Sequence, residues 1–173
     1  MRFVSALALM VALATRAEAQ GGDDPEGRLR SLGLTLPPAS TPIANYLKAV
    51  RAGNLVFLAG HGECGTPITM GKVGKDVGID SAYASARKVG LCLLSSLKAE
   101  IGDLRKVKRI VKVLGMVNSA PDFTDQPRVI NGFSDLMVSV FGDRGRHARS
   151  AVGMGSLPLG MSVEIEMVVE VEP

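Results

Sequence analysis

No tryptophan occurs in the 173 residues, and aromatic side chains make up only 4% of them. A core without large rings has to be built from Val, Leu, Ile, Met and Ala, which the 46% hydrophobic content can supply. Charge of one sign is also scarce. Twenty Lys and Arg stand against seventeen Asp and Glu, a formal net charge of +3. The densest basic run, Arg105-Lys106-Val107-Lys108-Arg109, has no interleaved aromatics and reads as a solvated strand entry, so no nucleic acid partner is expected. Two histidines and two cysteines are too few and too scattered for a metal set, and no CxxC occurs. No metal and no cofactor are expected. Long hydrophobic runs are absent beyond the first residues.

That first run is informative. Arg2 precedes the apolar stretch Phe3–Ala14, and Ala17-Glu18-Ala19 has the small-x-small form of a cleavage site. Residues 1–19 therefore read as a signal peptide, with export to a periplasmic or extracellular space and no membrane association after cleavage. If the signal is not used, the protein stays cytoplasmic. Residues 20–40 read as a leader, mobile through Arg30, with a short ordered arm over Leu29–Leu36. Cys64 lies in a loop and Cys92 inside a helix. An exported protein can pair such residues, but the helical position favours a buried, unpaired Cys92.

From residue 41 the chain alternates strand and helix signals. Leu47–Val50 and Leu55–Ala59 flank the turn Arg51-Ala52-Gly53-Asn54. A Gly-rich loop, His61–Gly78, lacks the Gly-Lys-Ser/Thr ending of a phosphate loop and reads as a covering loop. Asp80 is placed to cap a helix over Ser81–Ile101, with Ala82, Ala86, Val89, Leu93 and Leu97 as its buried stripe. Val107–Val117 is a long strand. A second helix runs from Thr124 or Asp125 to Phe141, with Pro127 in its first turn. Two strands follow, Ala148–Met154 and Ser162–Val171, joined at Leu157-Pro158-Leu159-Gly160. In the last, Val163, Ile165, Met167, Val169 and Val171 share one face, and Glu164, Glu166 and Glu170 the other. The order β-β-α-β-α-β-β predicts an α+β domain, one mixed sheet with two helices on one face. The uncovered face is expected to associate with copies of itself.

Chemistry concentrates in the last two strands. Arg149 and Glu164, taken as strand neighbours, can line one polar site, or Arg149 can only tie the strands through an ion pair to Glu164 or Glu166. Periodicity alone favours the ion pair. Of the histidines, His147 stands between Arg146 and Arg149, surroundings that oppose its protonation. No nucleophile triad surrounds either histidine.

The segment Ala148-Arg149-Ser150, Leu157-Pro158, Val163-Glu164-Ile165-Glu166 resembles the C-terminal signature of the RidA/YjgF family of reactive-intermediate imine deaminases. The hairpin with Tyr46, Gly53-Asn54 and Gly60 is similar to the family's as well. The resemblance implies a chorismate-mutase-like fold over residues 41–173. It also implies homotrimers with sites between subunits and hydrolysis of 2-imino or enamine acids of the 2-aminoacrylate type to 2-keto acids and ammonia. It assigns Arg149 to the substrate carboxylate and Glu164 to water, and makes Tyr46, Asn131 and the backbone at Ala151 substrate contacts. The chain departs from the family at Ala59 and His61, where relatives have Ser and Gln, and at Ala151, where many have Cys. A trimer that binds carboxylate metabolites without turnover is the alternative from another class. RNA cleavage, a third, is disfavoured by the scattered charge.

Overall fold

The computed structural model describes residues 24–42 and 44–173. The expected signal peptide lies outside the described residues. Five strands form one sheet: β1 (Ala49–Ala52), β2 (Leu55–His61), β3 (Val107–Asn118), β4 (Ala148–Met154) and β5 (Val163–Val171), in the order β1-β2-β5-β3-β4. Among the described residues three helices accompany it: α1 (Pro25–Ser31), α2 (Ile79–Ile101) and α3 (Gln126–Phe141). This is the mixed α+β architecture expected.

The period-2 pattern of β5 sets the layers. Val163, Ile165, Met167, Val169 and Val171 are each at most 1% exposed and face the helices. The expected α2 stripe is wholly buried, and Ile130, Phe133, Met137 and Val140 of α3 join it in one core. Burial of this aliphatic surface is the main stabilising term, about 25 cal/mol per Å².

Several expectations shift. The β1–β2 turn is tighter, a two-residue Gly53-Asn54 with Gly53 at φ 60°, so β1 runs Ala49–Ala52 instead of ending at Val50. Pairing of Arg51 with Val56 and Ala52 with Leu55 takes up the residues assigned to the turn. Asp80 does not cap α2. The N-cap is Gly78, and Asp80 sits exposed in the first turn, where a carboxylate still favours the helix dipole. The leader is ordered from Pro25, not mobile through Arg30. Leu29 is 3% exposed, Glu26 pairs with Lys98 at 2.8 Å, and the Ser95 hydroxyl donates to the Pro37 carbonyl at 2.7 Å.

The largest correction concerns the last two strands. β4 pairs parallel with β3, and β5 pairs antiparallel with both β2 and β3. β3 therefore lies between β4 and β5, and Arg149 and Glu164 are not on neighbouring strands. The α3 crossover places β4 parallel to β3 at the sheet edge, while β5 returns to fill the gap between β2 and β3.

Cys92 is buried but not unpaired. It forms a disulfide with Cys64, with a Cα–Cα separation of 5.9 Å. The covering loop folds back along α2, and Glu63 fixes it there by pairing with Lys88 at 3.1 Å and accepting the Thr69 N–H at 3.1 Å. The disulfide spans 28 residues, and chain entropy puts its contribution at about 3 to 4 kcal/mol. Cys64→Ser with Cys92→Ser is expected to lose about that much in urea unfolding. A midpoint equal to the oxidised parent's would contradict this.

Candidate functional site

The site residues expected from sequence fall into two groups at different places on the sheet. Arg149 lies in register with Val113 of β3 and, through it, Met167 of β5, both in the helix-side core. Its side chain therefore sits on the helix side, at the outer edge, against α3. Its Nη1 donates to Asn131 Oδ1 and to Ser134 Oγ, each at 2.9 Å, and Nη2 donates to the Pro127 carbonyl at 3.4 Å. All three partners are neutral. Among the described residues no carboxylate closes an ion pair with it. Burial lowers its pKa and nearby Asp135 works the other way; a guanidinium stays charged throughout.

Ser134 was not singled out in the sequence, yet it is three residues from Asn131 and so shares its helix face. Its hydroxyl also meets His147 Nε2 at 3.1 Å, while His147 Nδ1 bonds the Gly145 carbonyl at 2.7 Å. That arrangement fixes a tautomer: Nδ1–H donates to Gly145, and Nε2 accepts from Ser134. Burial, the largest cause, holds His147 below the usual histidine pKa. The Gly145 carbonyl partly offsets this and the Arg149 charge adds to it. The neutral ring orients Ser134, and Ser134 orients Arg149. Ala151 stands two residues on from Arg149 on the same side, paired with Gly115. β4 is the sheet edge, so the backbone there has one unpaired flank.

Glu164 belongs to the second group. It lies in register with Met116 and Val152, the opposite parity to Val113, and therefore on the face away from the helices. It lines a cleft of about 600 Å³ with Tyr46, Lys48, Gly60, Met161 and Leu159. Its carboxylate rests over Gly60: a Cβ there would stand 2.1 Å from Oε1. Burial chiefly, then neighbouring Glu166, raises its pKa above the ordinary 4.5, and Lys48 opposes the rise. Such a carboxylate is a stronger base than a solvated one.

Gly60 thus has a specific duty. Its φ is not positive, so alanine fits the backbone, and the only collision is with a movable side-chain end. Gly60→Ala is expected to displace the Glu164 carboxylate in a crystal structure of the variant, with a stability change under about 1 kcal/mol. A variant structure with the Glu164 carboxylate unmoved would contradict that placement.

His61 is not available as a base. It is 3% exposed, donates from Nδ1 to the Ala59 carbonyl at 2.7 Å and accepts at Nε2 from the Ser96 hydroxyl at 2.7 Å. Burial lowers its pKa, so it is neutral. Lys72, in the Gly-rich loop, is a staple: Nζ donates to Asn118 Oδ1 at 3.0 Å and to the Gly155 carbonyl at 2.9 Å.

Within one chain the two groups do not meet. Arg149 and Glu164 are two strands apart, about 10 Å laterally, on opposite faces. The ion pair favoured by periodicity is not formed.

Comparison with known proteins places this architecture. Residues 26–171 match the family described as "YjgF/chorismate_mutase-like, putative endoribonuclease". The Protein TCP17 of Trypanosoma cruzi is 42% identical over 149 residues, covering 82% of this chain and 91% of that one. A 2-iminobutanoate/2-iminopropanoate deaminase of Dermatophagoides farinae is 27% identical over 139 residues, covering 80% and 95%. A crystal structure of a protein of unknown function from Agrobacterium tumefaciens superposes with a TM-score of 0.80 at 42% identity, covering 92% of this chain and 99% of that one. The chain belongs to the YjgF/RidA family.

Proposed function

We propose that the protein hydrolyses 2-imino acids to 2-keto acids and ammonia at a site shared between subunits of a homotrimer. One observation carries this reading. Arg149 is half-buried and oriented by three neutral acceptors, yet among the described residues no carboxylate closes an ion pair with it. A buried structural cation is ordinarily paired. One that is aimed but uncompensated suits an anionic ligand, and a guanidinium takes a carboxylate in bidentate fashion.

The trimer supplies what a single chain separates. The helix-free face exposes Val50, Phe57 and Val152, with Leu114 and Val168 half-buried beside them. Covering such a patch by association is favourable. Arg149, Asn131 and the Ala151 backbone, at the β4 edge of one subunit, would close the cleft of the next, which holds Glu164 and Tyr46. Arg149 binds the substrate carboxylate and sets the imine carbon beside a water. Glu164 takes a proton from that water as its oxygen bonds to carbon, giving a carbinolamine. The same carboxyl returns a proton to nitrogen. The C–N bond breaks, ammonia leaves and the hydroxyl loses its proton to give the keto acid. Positioning and a preorganised charge suffice for imines that already hydrolyse in water. We place the protein outside the cytoplasm, a reading supported by the N-terminal signal pattern and by the Cys64–Cys92 disulfide.

Glu164→Gln tests the chemistry. An amino acid oxidase generates 2-imino acids, and semicarbazide traps what remains. Wild type should suppress trapping, with kcat/KM falling as pH drops through the raised pKa of Glu164, because the base must be ionised. The glutamine variant should lose turnover while still binding keto acids. A wild type silent on every imine that still binds keto acids would make the protein a carboxylate-binding trimer instead.

A further inference from the structure

The cleft beside Glu164 carries one group the reaction does not use. Among the described residues lining it, Lys48 is the only ammonium or guanidinium. The acids there are Glu164 and Glu63, and Glu63 is committed to Lys88 and to the Thr69 N–H. Lys48 is half-buried, and its Nζ sits 5.6 Å from the centroid of the Tyr46 ring, a cation–π contact that leaves its N–H donors free. It donates no hydrogen bond and closes no ion pair among the described residues, although its charge is felt at both Glu164 and His61. The remaining walls are largely apolar, from Ile68, Pro158, Leu159 and Met161. An ammonium with unmet donors in such surroundings favours an anion.

That anion is not the carboxylate held by Arg149, since one guanidinium fork satisfies one carboxylate. Resting on the reading of this cleft as the imine site, we infer that Lys48 is a specificity residue for 2-imino acids with a second carboxylate, such as those formed by oxidising acidic amino acids. Lys48 holds the distal carboxylate while Arg149 of the neighbouring subunit holds the one next to the imine carbon.

The test reads binding and turnover separately. Four-carbon and five-carbon dicarboxylic keto acids and their monocarboxylic counterparts are titrated into wild type, Lys48→Gln and Lys48→Arg by calorimetry. Oxidase-generated imines of both classes are assayed in parallel. Wild type should favour the dicarboxylic class, and Lys48→Gln should collapse that preference about 10- to 100-fold, with Lys48→Arg restoring most of it. In turnover the change should appear in KM. Equal weakening of both classes would overturn the inference, because Lys48 would then hold the shared carboxylate. So would unaltered preference with a shifted pH profile, which would make Lys48 a modulator of Glu164. If the dicarboxylic preference depends on Lys48 in binding but no imine is turned over, the subsite stands and the deaminase reading falls.

Discussion

Arg149→Ala is expected to lower kcat/KM for imine hydrolysis on the order of 100-fold, about 3 kcal/mol of transition-state stabilisation. The magnitude follows from losing a charge-assisted carboxylate clamp together with the orientation it enforces. The fold should tolerate the change. Arg149 stands on an edge strand, and the groups it releases, Asn131 Oδ1 and Ser134 Oγ, are near enough to solvent to rebond water. Thermal unfolding should therefore move little while activity collapses. Arg149→Lys should recover only part of the loss, since an ammonium cannot reproduce the planar fork. Asn131→Ala should cost less than Arg149→Ala, because Ser134, itself held by His147, still orients the guanidinium. An Arg149→Ala variant with wild-type kcat/KM would remove Arg149 from the site.

Gly132→Ala should be among the most destabilising single substitutions. α2 and α3 cross so closely that a Cβ at Gly132 would stand 2.0 Å from the Tyr83 carbonyl oxygen and 2.9 Å from its carbon. These are backbone atoms, which cannot swing aside as the Glu164 carboxylate can at Gly60. The helices would have to separate, disturbing the Tyr83 hydroxyl's hydrogen bond to Asp135 at 2.8 Å and the packing of Gly90 under Leu136. Overpacking of this kind costs about 3 kcal/mol or more, a fall in Tm of about 6 to 12 °C. Gly155→Ala, where a Cβ meets nothing within 4 Å, is the matched control and should change stability by about 0.5 kcal/mol or less. Equal melting of the two variants would mean that the helices do not approach as described.

Much of this was legible in the sequence because it is local. The alternation of β5, the stripe of α2 and the apolar face of α3 all follow from side-chain period, and each is buried as expected. The features that escaped are long-range. Nothing in Ala148–Val171 says that β3 will lie between its two strands, so Arg149 and Glu164 looked like neighbours. The distance between Cys64 and Cys92 depends on how the loop folds over α2. The burial of Leu29 depends on a helix surface some 70 residues further on, where Lys98 pairs with Glu26. Some signals were present and unread. Ser134, one helical turn after Asn131, extends a polar face aimed at one strand, and Lys48, two residues after Tyr46, shares its side of the chain. Gly60 illustrates both kinds: its place in the family pattern was visible, but its reason, room for the Glu164 carboxylate, needed the register of β2 against β5.

The shared site is tested most directly by mixing two inactive proteins. Arg149→Ala and Glu164→Gln subunits are co-expressed with distinct tags, and trimers carrying both are isolated and assayed for imine turnover. If Arg149 of one subunit serves Glu164 of the next, each mixed trimer regains one intact site in three, and an unsorted equal mixture regains about one quarter of wild-type activity. Mixed trimers as inactive as either parent would show that the two residues do not serve one site across a subunit boundary, and would contradict the account.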